Sequence, residues 1–377
     1  MWYALTCPLE NDGVFMAENT IMDSGRLYAL MELSALINST LDGREIRKRA
    51  MEAAKQLMNA EAASLLLVDR EKEELFFEVA LGEKGNLMKE IRLRFGEGIA
   101  GWVALNGEPL IINDVYGDPR FYREADEKSH FVTRDMICVP VRFRDRILGV
   151  LEVINKREGR FGEGDLPLLL AFSNQVAIAV ENANLYEQLR ETFFGTALSL
   201  ADSLEKRDPY TGGHTKRVST YSVAIGKALG LNTGEMENLT LAAILHDIGK
   251  IGVRDSVLLK EGKLDENEYA SMVRHAGYGA EILGHVKGLQ PVMAGVKSHH
   301  EMYDGSGYPD RLRGDEIPLA ARIIAVADTF DAMTTDRPYR KALTFDEAFA
   351  ELSRCSGRQF DPTVVDAFLR AHGEGML

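Results

Sequence analysis

Leu239-Thr240-Leu241-Ala242-Ala243-Ile244-Leu245-His246-Asp247-Ile248-Gly249-Lys250 is the stretch that decides how this chain folds. An almost wholly apolar run leads into an adjacent imidazole and carboxylate. A helix apolar on every side is a buried helix, so His246 and Asp247 arrive at its buried end. Placing both groups there is unfavourable unless something pairs with them, and a metal ion satisfies both. Successive side chains on a helix point ~100° apart. The aspartate therefore reaches toward a second ion that its neighbouring histidine cannot touch.

The same pattern recurs further along. His299-His300 follow the apolar residues 291–296. His275 falls on an expected helix over Glu268–Leu283, and His214 opens one that continues through Val218 and Ile225. Asp328 ends the otherwise apolar Ile323-Ile324-Ala325-Val326-Ala327-Asp328, where an unpaired charge is unfavourable. Each histidine taken alone reads equally as a hydrogen-bonded core residue. Two adjacent pairs and a carboxylate within an apolar helix point together to a metal centre. Lys250 stands one helical turn beyond His246, placed to hold a water or phosphate or to protonate a departing oxygen. The competing reading is a solvated lysine at a helix end, where cations are favoured anyway. Gly305, Gly307 and Tyr308, in Gly305-Ser306-Gly307-Tyr308-Pro309, form a short stiff loop expected to line the pocket, although Gly and Pro also punctuate ordinary connectors.

Beyond Ala201 strand signals nearly vanish, and helix starts are marked by Asp265 with Glu268, Thr344 with Glu347, and Asp361 before Pro362. This half is expected to be all-α. The first half reads differently. Leu27, Leu30, Leu33 and Leu36 predict a helix from about Ser24 to Asn38, and a second follows around Ile46–Met58. Strand-like runs come next at 63–68, 74–79, 136–141 and 147–154, predicting an α+β domain with an antiparallel sheet. From Asp165 to Lys206 the pattern is one long helix. Leu169, Val176 and Ala183 fall seven apart, and Phe172, Ala179, Tyr186 and Phe193 form a second series offset by three. That seam predicts a connector helix with a homodimer contact. The same periodicity also suits a helix packed on its own sheet.

With 377 residues the chain is expected to hold two domains. Its 45% hydrophobic and 27% charged residues are those of a globular protein. No run of ~18 apolar residues is present, so no membrane span is expected. The first residues lack the basic and apolar regions of a secretory signal. Cys7, Cys138 and Cys355 are scattered and fit neither a zinc spacing nor a disulfide framework, favouring a reducing cytoplasm. A net charge of -14 argues against a nucleic-acid polymer as partner. A small anionic substrate remains compatible, given local cations.

Two resemblances follow from these residues. Residues 27–189 resemble the GAF family, chiefly through Gly96-Glu97-Gly98-Ile99-Ala100-Gly101-Trp102-Val103, Asn113-Asp114-Val115 and Leu148–Lys156. Asn155, Lys156, Phe161 and Asp165 match a signature of cyclic-nucleotide-binding GAF domains, with Leu166 in place of its final Glu. They also read as a strand end and a helix cap. The GAF ligand stays unknown. Residues 197–369 resemble the HD superfamily of metal-dependent phosphohydrolases, and within it the HD-GYP branch. The matching segments are Thr211–Val218, His246–Lys250, His275 with Gly279, His299–Pro309 and Ala327–Arg340.

The HD-GYP resemblance implies a phosphodiesterase that hydrolyses cyclic di-GMP to pGpG or GMP. Its alternatives are an HD phosphohydrolase of another nucleotide and a catalytically silent cyclic-dinucleotide sensor. It implies one ion on His214, His246, Asp247 and Asp328 and another on Asp247, His275, His299 and His300, with Asp247 bridging and acting with Lys250 in catalysis. It further implies iron, with manganese also suited, and substrate phosphates gripped by Arg337 and Arg340 beside Lys250. Some members bind a third ion through a Glu four residues before the first His; here that position is Tyr210, so two ions are expected. The expected organisation is a leader over 1–24, a GAF domain over 25–164, a connector helix over 165–200 and an HD-GYP domain over 201–377.

Overall fold

The computed structural model describes residues 24–37, 39–40, 42–81, 91–207, 212–260, 262–336 and 341–377. The expected leader (apart from Ser24), Tyr210, Arg337 and Arg340 lie outside the described residues. The chain divides into two compact units between Leu189 and Arg190.

The first unit begins with helices α1 (Ser24–Ile37) and α2 (Gly43–Leu57). Asp42 caps α2 by accepting from the N–H groups of Arg44 and Glu45. Six strands follow: β1 (Ala60–Asp69), β2 (Glu74–Leu81), β3 (Arg92–Arg94), β4 (Leu110–Ile112), β5 (Met136–Phe143) and β6 (Arg146–Lys156), with α3 (Gly98–Asn106) and α4 (Arg123–Ser129) between them. They form one sheet in the order β3-β2-β1-β6-β5-β4, each pairing antiparallel. Side chains alternate across the sheet. Leu151 and Val153 join a core with α2 and the start of the long helix α5 (Asp165–Glu205), while Val150 joins one with α3. Glu152 lies buried next to Val150, with no hydrogen-bond partner among the described residues.

The apolar face of α1 departs from the expected one. Leu36 is exposed and Ile37 is buried in its place, because Ile37, seven residues on from buried Leu30, shares its helical face. The seam of α5 divides in two. Leu169, Phe172, Val176, Ala179 and Ala183 are buried in the first unit's core, while Tyr186 and Phe193 are exposed, as are Leu185, Leu189 and Leu200 beside them. By length and composition α5 is apolar enough to cross a membrane, but more than half of its most apolar stretch is buried within the protein, and the packing of the five buried seam residues accounts for that apolar character. Among the signature residues, Asn155 donates to Glu61 and to the Val132 carbonyl, and Lys156 pairs with Asp165. The three polar signature residues are thus all paired inside the fold.

The second unit is helical: α6 (His214–Ala228), α7 (Thr233–Leu245), α8 (Asp255–Leu258), α9 (Glu266–Val273), α10 (His275–Gly284), α11 (Gln290–Ser298), α12 (Leu319–Thr334), α13 (Phe345–Cys355) and α14 (Pro362–Gly373). Capping boxes form at Asp265/Glu268 and Thr344/Glu347, and Asp361 caps α14. Phe330, Phe349 and Phe368 pack with ring centroids 4.8–5.1 Å apart at the centre, a spacing favourable for aromatic pairs. The expected single helix over Glu268–Leu283 is two helices, broken at Arg274. The break makes His275 the first residue of α10.

Candidate metal centre

Each histidine of interest stands at a helix end. His214 opens α6, His246 follows α7, His275 opens α10, and His299 and His300 follow α11. Helix ends leave backbone groups without intrahelical partners, and three of these imidazoles use them. Nδ1 of His246 donates to the Ala243 carbonyl at 2.8 Å, Nδ1 of His275 to the Met272 carbonyl at 2.8 Å, and Nδ1 of His299 to the Val296 carbonyl at 2.6 Å. A carbonyl only accepts, so each Nδ1 carries a proton and each ring turns its Nε2 inward. His214 follows the same rule with a different partner: its Nδ1 lies 2.8 Å from the Asp331 carboxylate.

The Nε2 atoms then meet. Those of His214 and His246 are 3.3 Å apart, and those of His275 and His299 are 3.5 Å apart. For His275 and His299, whose protons are fixed on Nδ1, these are lone pairs facing lone pairs, an arrangement that repels unless a cation lies among them. Asp247 spans the two groups. Its Oδ2 is 3.5 Å from His246 Nε2 and 4.0 Å from His214 Nε2, and its Oδ1 is 3.6 Å from His275 Nε2. Asp328 Oδ1 lies 3.4 Å from His214 Nε2. Two groups have ligand atoms within 4.8 Å of one another: His214, His246 and Asp247, and His275, His299 and His300. Imidazole and carboxylate donors at this spacing fit divalent transition-metal ions.

Burial sets the protonation states. It lowers His275, holds His299 well below the ordinary imidazole value, and lowers His300 to about 4, so these rings are neutral ligands at neutral pH. At His214 burial acts in the same direction, but the carboxylates of Asp331, Asp328 and Asp247 outweigh it and raise the imidazole. Burial would raise Asp247, yet Lys250 and the surrounding histidines hold it well below the carboxylate range. Lys250 Nζ lies 2.6 Å from Asp247 Oδ2.

Two glycines are fixed by close approach. A Cβ on Gly249 would stand 1.9 Å from the His275 carbonyl oxygen, so this glycine lets the His246–Lys250 turn press against α10. A Cβ on Gly307 would stand 2.2 Å from the Met302 nitrogen; its close approach is to the protein's own backbone, where a ligand was expected. Gly305 adopts a φ of 83°, a region open to glycine. Tyr308 reaches the site, its ring centroid 4.9 Å from that of His300, and burial raises its phenol.

Two further acidic residues carry structural work that the sequence did not mark. Asp331, almost fully buried, accepts from Arg217 as well as His214. Its spacing of three from Asp328, one turn along α12, was the available signal. Buried Glu301 accepts the Asp310 N–H at 2.7 Å and the Leu312 N–H at 3.1 Å, closing the glycine loop on itself.

The chain matches known families in the same two pieces. A model described as HD domain matches residues 199–364, and one described as GAF domain matches residues 42–180. The chain is 37% identical over 268 residues to the cyclic di-GMP phosphodiesterase response regulator RpfG of Xanthomonas campestris, covering 71% of this chain and 68% of that protein. It is 38% identical over 244 residues to 3'3'-cGAMP-specific phosphodiesterase 2 of Vibrio cholerae, covering 64% of this chain but only 47% of that protein. The chain thus spans about half the length of that Vibrio relative. Among solved structures, a GAF domain from an Acinetobacter phosphoenolpyruvate-protein phosphotransferase aligns over 44% of this chain and 99% of its own, with 20% identity and a TM-score of 0.39.

Proposed function

We propose, from the premise that this chain belongs to the HD-GYP branch of the HD-domain family and carries a GAF domain ahead of it, that it is a metal-dependent phosphodiesterase of cyclic dinucleotides. The observation that carries the proposal is the inward convergence of imidazole Nε2 atoms around a shared carboxylate. His214, His246, Asp247 and Asp328 would hold one divalent ion, and Asp247, His275, His299 and His300 the other. Such ions, when bound, supply Lewis acidity toward water and phosphodiester oxygens. Iron is the proposed metal, with manganese also suited to these donors.

The chain's own residues do the rest. The three backbone-anchored histidines hold Nδ1–H on a carbonyl, which leaves Nε2 as the ligating atom. In the hydrolysis a water oxygen forms the new bond to phosphorus as the bond to the 3'-oxygen breaks, and Lys250, held on Asp247, would donate the proton to that departing oxygen. Tyr308 stands against His300 to face a purine base, on a loop shaped by Gly305 and Gly307. Arg337 and Arg340 are assigned to the substrate phosphates, where a guanidinium forms paired hydrogen bonds.

Cyclic di-GMP is the proposed substrate, with pGpG or GMP as product. The Vibrio relative favours 3'3'-cGAMP as a second reading. The proposal extends to a cytoplasmic location and a homodimer through α5. Protein purified without oxygen, analysed for metal and then given each dinucleotide, tests the reading by chromatography of the digests. Hydrolysis of cyclic di-GMP at least tenfold faster than 3'3'-cGAMP is expected. The reverse order would assign the second substrate, and no hydrolysis of any cyclic dinucleotide by metal-loaded protein would overturn the enzyme reading.

A further inference from the structure

Glu205 is the last residue of α5 and lies outside the set of residues assigned above to metal or substrate. Its carboxylate nevertheless straddles His214. Oε2 accepts the Gly213 N–H at 3.0 Å, and Oε1 accepts the Thr215 N–H. The residue before α6, Gly213, has a φ of 75° and contributes no side chain to cap the helix. The free N–H groups at a helix start need acceptors and favour a negative charge. Glu205 supplies both from another helix. It also lines a small cavity together with His214, Asp247 and Lys250.

We infer that Glu205 is a positioning residue for the metal centre: it fixes the backbone on both sides of His214 and so sets where that imidazole stands. The inference rests on the metal-centre reading of the preceding section. It has a consequence that ordinary helix capping does not. Of the five imidazoles, only His214 is attached to a backbone segment that Glu205 holds. His275, His299 and His300 stand on α10 and after α11, and two of them are anchored by carbonyls of their own chain segments. Loss of Glu205 therefore loosens one half of the centre and leaves the other intact. Because Leu168–Ala183 of the same helix belong to the first unit's core, the residue that sets His214 ends a helix that begins in the GAF domain.

The test uses the full chain and Mn(II) as probe, with free Mn(II) followed by electron paramagnetic resonance during titration. Wild-type protein should bind two equivalents. In Glu205→Ala one equivalent should weaken by tenfold or more while the other keeps its affinity. Glu205→Gln, which retains one acceptor oxygen, should fall between the two. Circular dichroism and the melting temperature show whether each variant is folded. If the alanine variant fails to fold, the glutamine variant decides by the same criterion. Two unchanged sites, or two sites weakened equally in a folded variant, would overturn the inference. A wild-type protein that binds no Mn(II) would instead overturn the metal-centre reading itself.

Discussion

At the residue scale the histidines were legible in the sequence and their partners were not. His246-Asp247 and His299-His300 stand out because polar residues at the end of apolar runs demand an explanation. Asp331, Glu301 and Glu205 do not, because acidic residues are common and none of the three acts at a helical or strand spacing: Asp331 reaches a segment remote in sequence, and Glu301 and Glu205 reach backbone N–H groups across a turn of the chain. Asp331→Ala should lower affinity for one metal equivalent by about 10–100-fold, the usual range for a residue that orients a ligating histidine. Metal titration of the folded variant checks this, and an unchanged affinity would remove Asp331 from the centre. Asp247→Asn should lose at least one ion and nearly all turnover; full metal content with near-normal turnover would refute the bridging role. Glu152 gives a pH dependence well away from that centre. Burial without a partner pushes its carboxyl from 4.5 up to about 7. The folded state therefore binds the proton more tightly than the unfolded chain does. Its contribution is full below pH ~4.5, declines between ~4.5 and ~7, and is absent as a favourable term above that. At about 1.4 kcal/mol per pH unit the span amounts to about 3 kcal/mol. Glu152→Gln should flatten this slope and leave the first unit more stable than wild type at pH 8, as read by urea unfolding. An identical slope in both proteins would count against it.

At the element scale the strands and most helix starts follow from period and caps, and the departures have local causes. Arg274 interrupts the expected helix, a break that lets His275 send its Nδ1 back to Met272. Period alone cannot reveal this, since both helices keep apolar residues in phase. The seam of α5 was legible as a pattern but ambiguous in use, and the part of both series up to Ala183 packs in the first unit's core. The exposed remainder, Tyr186 at 45% and Phe193 at 42% with Leu189 beside them at 69%, is what remains for a second copy of the chain. If α5 pairs in this way, Leu189→Glu combined with Phe193→Glu should convert a dimer to a monomer in sedimentation equilibrium. Wild-type protein that is monomeric at tens of micromolar would exclude the seam as a dimer contact.

At the scale of the whole molecule the division into an α+β unit and an all-α unit was readable from the loss of strand signals after Ala201. The reach of α5 was legible too, read as Asp165–Lys206 and found as Asp165–Glu205, but the point where the first core stops using it was not, because one continuous helix gives no internal mark of it. Metal binding should stabilise only the second unit, since the imidazoles and both carboxylates proposed as ligands belong to it. A ligand at 100 times its Kd adds about 2.7 kcal/mol. A chelator should therefore lower the melting transition of the second unit and leave that of the first in place, by differential scanning calorimetry. The anchoring of the imidazoles also bears on how such a centre decays over generations. His246, His275 and His299 hang from main-chain carbonyls, which no single base change in a gene can delete. His214 hangs from a side chain, which one can. Among descendants of this sequence that lose the activity by drift, the earliest lesions are expected around His214, while the other three histidines persist as relics in proteins that no longer turn over substrate.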